Sequence, residues 1–128
     1  MCDIQNAYLQ APSSGKHYVV CGLEFGLENV GKYAIIVRVL YGGKFAGADY
    51  WRHVRSAMEE MGFSSCNADP DVWLKSALKS NGVEYYQYVL LYTDDILAIM
   101  EEPEHFLREE LGKRFTLKEK SIGPPDQY

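Results

Sequence analysis

Short runs of β-branched and aromatic residues alternate along the chain with turn-forming residues. The runs at 17–21, 33–40, 72–78, 85–91 and 96–100 predict β-strands. The pair Asn81-Gly82, between two of these runs, predicts a hairpin.

Between residues 50 and 61 the apolar positions recur with the period of a helix instead. We therefore predict a helix there, with Asp49 as its N-cap and Gly62 just beyond its end. The predicted inward face consists of Tyr50, Trp51, Val54, Ala57, Met58 and Met61.

A second helix is predicted to begin at Pro103, with Phe106, Leu107, Leu111 and Phe115 inward. Residues 116–118 are predicted to start a last strand. Hairpins and helices in this order predict an α+β fold, an antiparallel sheet with helices packed on one face. The length of 128 residues suits one domain.

Composition narrows the classes of function. Hydrophobic residues make up 47% of the chain, which is enough for a core, and the formal net charge is −5. An acidic chain is not expected to bind nucleic acid by itself, because such binding needs basic groups to neutralise phosphates. Three widely spaced cysteines predict free thiols in a reducing, intracellular compartment, and no run predicts a signal peptide or a membrane span.

Asp94 and Asp95 stand between two apolar strands, where two adjacent negative charges disfavour strand pairing. They form either a solvated acidic turn or a site for a divalent cation, since hard cations prefer oxygen ligands.

Five blocks in the same order resemble the reverse transcriptases of Ty1/copia-type retrotransposons. They are Asp-Ile-Gln-Asn-Ala-Tyr at 3–8, Leu-Tyr-Gly-Gly-Lys-Phe-Ala at 40–46, Gly-Phe at 62–63 with Asp-Pro-Asp-Val-Trp at 69–73, Tyr-Thr-Asp-Asp at 92–95, and Phe-Thr-Leu-Lys at 115–118 with Ile-Gly at 122–123. The resemblance covers nearly the whole chain and implies that residues 1–128 are a partial, ferredoxin-like polymerase palm.

The resemblance also implies an RNA-directed DNA polymerase with two Mg²⁺ or Mn²⁺ ions, an RNA or DNA template with its primer, and dNTPs as partners. Asp3, Asp94 and Asp95 would be the catalytic metal ligands, with Asp3 and Asp94 holding both ions and Asp95 supporting them. The family setting implies a cytoplasmic particle.

Four further residues are expected at the substrate: Tyr8, Phe45, Tyr92 and Lys118. Tyr8 resembles a steric gate against the ribose 2′-hydroxyl, and an ordinary core tyrosine is the alternative. Lys118 corresponds to a lysine near the triphosphate, and an exposed lysine at a strand end is the alternative.

The sequence departs from the family pattern at Phe45, where a glutamine that reaches the nucleotide is usual. The resemblance also places fingers before Asp3 and a thumb after Tyr128, so we expect the isolated chain to be inactive. Two other interpretations stay open: an inactive transposon relic that keeps the fold, and a non-catalytic ferredoxin-like binding module.

Overall fold

A computed structural model describes residues 1–125 of the chain. These residues divide into two compact units. The first consists of Met1–Ala7 together with the chain from Val54 onward, and the second is Tyr8–His53.

Seven strands and three helices account for the regular structure of residues 1–125. The strands are β1 (Cys2–Asp3), β2 (Pro12–Val20), β3 (Tyr33–Arg38), β4 (Ser64–Ser65), β5 (Val72–Leu78), β6 (Glu84–Tyr92) and β7 (Asp95–Ile99). The helices are α1 (Ala7–Gln10), α2 (Ala46–Glu60) and α3 (Pro103–His105), and α3 continues as π-helix over Phe106–Leu111. Short 3₁₀ turns lie at Leu23–Phe25, Leu27–Asn29 and Glu119–Ser121.

The first unit is built on a five-stranded antiparallel sheet in the order β1-β7-β6-β5-β4. Side chains alternate between its two faces, and the inward face is buried. The core of this unit combines that face with residues from the end of α2 and from the α3 segment: Cys2, Trp73, Val89, Ile96, Ala98, Val54, Ala57, Met58, Phe106, Leu107 and Leu111. This confirms the predicted α+β class with an antiparallel sheet.

The opposite face of the same sheet is open to solvent. It exposes an apolar row along β6, at Tyr86, Tyr88, Leu90 and Tyr92, and Ile99 on β7. Asp95 belongs to this open face, because it is the Cα partner of Tyr92 in the β6–β7 pairing.

Helix α2 begins earlier than predicted, at Ala46, so the prediction of Asp49 as N-cap is wrong. Gly62 ends the helix as predicted: its φ is +85°, its N–H donates to the Glu59 carbonyl, and the Phe63 N–H donates to the Met58 carbonyl. These two bonds form a Schellman motif, which favours glycine at the left-handed position. The inward face was predicted correctly except for Trp51, which is 44% exposed.

The second unit contains the antiparallel hairpin of β2 and β3 and the first turns of α2. Asp49 is buried there, and its carboxylate accepts hydrogen bonds from the Ser14 N–H and the Ser14 hydroxyl, both at 2.9 Å. These hydrogen bonds and an ion pair with Arg52 lower the pKa of Asp49. Asp49 therefore anchors β2 to α2 instead of capping the helix.

The strand predictions agree with the structure at β5 residue for residue, and within one residue at each end of β6 and β7. The strand predicted at 17–21 is longer and begins at Pro12. The strand predicted from Thr116 is wrong, because only an isolated bridge between Leu117 and Ile4 forms there. The sequence also predicts a loop at 123–128, of which residues 126–128 lie outside the described part of the chain. None of the helices within residues 1–125 has both the length and the apolar character needed to cross a membrane.

Candidate metal site at the β6–β7 turn

The turn between β6 and β7 is as short as a hairpin allows. Tyr92 and Asp95 are Cα partners, so Thr93 and Asp94 alone form the loop. Thr93 adopts a φ of +55°, which a β-branched residue seldom tolerates. Backbone strain of this kind costs about 1–3 kcal/mol and is found mainly at functional sites.

Strand β1 brings the distant Asp3 next to this turn. Asp3 is the Cα partner of Asp95, and the N–H of Ile4 donates to the Asp94 carbonyl at 2.8 Å. Opposed residues of an antiparallel pair place their side chains on the same face. The two carboxyl groups are accordingly close enough to shift each other's pKa. The prediction that Asp3 lies beside the turn is confirmed. The convergence of all three carboxylates on one metal cluster stays a prediction.

The pKa values of these two carboxyl groups are shifted in opposite directions. Lost hydration, the hydrogen bond to Asp3, and the negative charges of Asp3 and Asp94 raise the pKa of Asp95. The hydrogen bond from Lys118, with a smaller contribution from Asp95, lowers the pKa of Asp3. Asp95 is therefore the member of the pair that retains a proton more readily.

Lys118 contacts this site directly. Its ammonium group donates to Oδ2 of Asp3 at 2.7 Å, and the contact raises the pKa of Lys118. Ser121 supports both residues: its hydroxyl accepts the Asp3 N–H at 2.8 Å and donates to the Lys118 carbonyl at 2.7 Å. No sequence pattern pointed to Ser121, which the chain brings here through the turn Glu119–Ser121.

The donor set suits a hard divalent cation, because carboxylate oxygens are the ligands that Mg²⁺ and Mn²⁺ prefer. Two of the three predicted ligands, Asp3 and Asp95, are in contact, and the charge of Asp94 acts on Asp95. Within residues 1–125, however, no three His, Cys, Asp or Glu side chains are grouped to hold a metal ion. Lys118 provides the positive charge beside Asp3.

The other predicted substrate residues fall into two groups. Tyr92 is 78% exposed and shares the open face with Asp95. Tyr8 and Phe45 belong to the second unit. The Tyr8 ring lies 4.9 Å from that of Tyr50 and 5.0 Å from that of Tyr41, centroid to centroid, and is half-buried. Phe45 is half exposed.

Comparisons with family models, with curated proteins and with solved structures give no significant match to this chain. The family resemblance and the activity it implies stay predictions that rest on the motifs.

Proposed function

We propose that this chain is the palm portion of an RNA-directed DNA polymerase of the Ty1/copia type. In this proposal Asp3, Asp94 and Asp95 hold the catalytic divalent cations. The observation that carries the proposal is the pairing of Asp3 with Asp95 beside a strained two-residue turn. Two acidic blocks about 90 residues apart in the sequence meet there, which supports the proposed metal site.

In this proposal the three aspartates would bind the metal ions and Tyr92 would lie on the path to them. Two divalent ions held by these carboxylates would supply Lewis-acid stabilisation to the attacking 3′-hydroxyl and the leaving pyrophosphate. Asp3 on β1 and Asp95 on the adjacent β7 would provide oxygen ligands from paired strands, and Asp94 would provide one from the turn before β7. Tyr92 would line the approach to these carboxylates from the open face of the sheet, where its side chain is exposed.

A second candidate is a relic that keeps the fold without the activity, and the residue that favours it is Phe45. A phenyl ring has no hydrogen-bonding group to offer a nucleotide in place of the glutamine that the resemblance places there. The Lys44 ammonium lies 5.4 Å from the centroid of the Phe45 ring.

A chimera separates the two candidates. Residues 1–125 would replace the matching palm segment of an active copia-type reverse transcriptase, and primer extension on an RNA template would be measured with Mg²⁺ or Mn²⁺. The chain alone is expected to give no extension, because its net charge of −5 repels a polyanion. Asp94→Asn tests the metal site, and Asp71→Asn, an exposed acid in the turn before β5, is the matched control.

Extension by the chimera that disappears with Asp94→Asn but persists with Asp71→Asn would support the polymerase. Extension only after Phe45→Gln would identify a relic inactivated at that position. A folded chimera that fails with both Phe45 and Phe45→Gln, while the parent enzyme is active, would contradict the proposed function.

A further inference from the structure

The backbone fixes Lys118 in front of Asp3. The Lys118 N–H donates to the Asp3 carbonyl and the Gln5 N–H donates to the Thr116 carbonyl, both at 2.9 Å. These bonds flank the bridge between Ile4 and Leu117. The segment that carries Lys118 is therefore tied to β1, and the ammonium group meets Asp3 without any rearrangement of the chain.

The Lys118 ammonium group occupies one of the two carboxylate oxygens of Asp3. It lies 2.7 Å from Oδ2 of Asp3, and Asp3 is the Cα partner of Asp95 on the neighbouring strand. An ammonium ion and a divalent cation placed at one carboxylate repel each other strongly. Since the Lys118 side chain is 48% exposed, it can leave Asp3 for solvent at little cost in packing.

We propose that Lys118 is a built-in counter-cation that competes with a divalent metal ion for Asp3. The inference rests on the proposed function, since it concerns the same carboxylates. In the metal-free chain Lys118 offsets the repulsion among Asp3, Asp94 and Asp95 and keeps them together. A metal ion binds only when the ammonium group moves away, so Lys118 sets the metal concentration at which the site fills.

A nearby lysine provides a matched control. A cavity of about 290 Å³ adjoins the site, and Asp3, Asp95, Lys120 and Ser121 are among the residues that line it. Lys120 carries the same charge as Lys118 and lies two residues further on, yet in the described part of the chain it forms no ion pair with Asp3. Removing the charge of Lys120 changes the electrostatic potential around the site but leaves the contact between Lys118 and Asp3 in place.

The test is a titration of the full 128-residue chain with Mn²⁺ alone, followed by the loss of the electron paramagnetic resonance signal of free Mn²⁺. Lys118→Met is expected to tighten Mn²⁺ binding by roughly tenfold or more, because one opposing charge is removed at close range. Lys120→Met is expected to change the affinity less than about threefold, since the exposed Lys120 makes no ion pair with Asp3 and its charge is screened by solvent. Asp3→Asn in the Lys118→Met background should abolish the gain.

The remaining outcomes are distinct. Equal affinities of the unsubstituted chain and Lys118→Met, both lost with Asp3→Asn, would overturn the competition and leave the metal site standing. Equal gains from Lys118→Met and Lys120→Met would reduce the effect to net charge and overturn it as well. No Mn²⁺ binding by any variant would contradict the proposed function and, with it, this inference. Circular dichroism checks folding, and Lys118→Gln replaces Lys118→Met if the latter fails to fold.

Discussion

Two isoleucines on β7 test the two-faced sheet that positions the candidate site. Ile96 is 1% exposed and Ile99 is 53% exposed, so they lie on opposite faces of the same strand. Ile96→Ala removes three carbon atoms, which at about 0.8 kcal/mol each lowers the free energy of unfolding by about 2.4 kcal/mol. The cavity left behind extends the expected loss to about 2–5 kcal/mol. Ile99→Ala leaves no cavity and should cost about 1 kcal/mol or less.

Urea denaturation followed by the fluorescence of Trp73, which is 1% exposed in the same unit, measures both losses. A Trp51→Phe background leaves Trp73 as the single reporter. A loss for Ile99→Ala equal to or larger than that for Ile96→Ala would refute the assignment of faces. Asp95 would then point into the core, because a shift of one residue exchanges the two faces of a strand.

Three further predictions concern other parts of the chain. Gly62→Ala should lower the free energy of unfolding by about 1–2 kcal/mol, because the φ of Gly62 is +85°. Gly47→Ala, in open space within α2, should raise it by about 0.5–1 kcal/mol. Thermal or urea unfolding measures both changes. Hydrogen bonds lower the pKa of Asp49, so its contribution to stability is present above the ordinary aspartate pKa of about 3.9 and is lost as the pH falls through the lowered pKa. In that window the free energy of unfolding should depend less steeply on pH in Asp49→Asn than in the unsubstituted chain. Equal slopes of unfolding free energy against pH would contradict the reasoning. Burial raises the pKa of Cys2 to about 11, so iodoacetamide at neutral pH should modify the partly exposed Cys66 first, as mass spectrometry of peptides can verify.

The sequence predicted those parts of the fold whose pattern is local. The strand at 72–78 was predicted to the residue because its apolar run is bounded by a Pro-containing turn and by Asn81-Gly82. The start of α2 was missed because Gly47 and Ala48 carry no apolar signal, and Asp49 suggested a cap.

The contacts of the candidate site could be predicted only in part. The two acidic blocks indicated that Asp3 and the turn are neighbours, and the resemblance supplied that information. The contact of Lys118 with Asp3 depends on a long-range bridge, which no periodicity encodes. The exposure of Trp51 was missed for a related reason: it borders the buried stripe of α2, and packing decides which border residues are covered.

The most direct test of the candidate metal site is a crystal of the 128-residue chain grown with Mn²⁺ in excess, with anomalous diffraction recorded to locate the ion. We predict an anomalous peak coordinated by carboxylate oxygens of Asp3 and of the Asp94-Asp95 pair, with the Lys118 ammonium displaced from Asp3. The peak should be absent from Asp3→Asn crystals grown in the same way. Mn²⁺ bound only at other carboxylates, or a peak at this turn that persists in Asp3→Asn, would contradict a metal site built from the two acidic blocks.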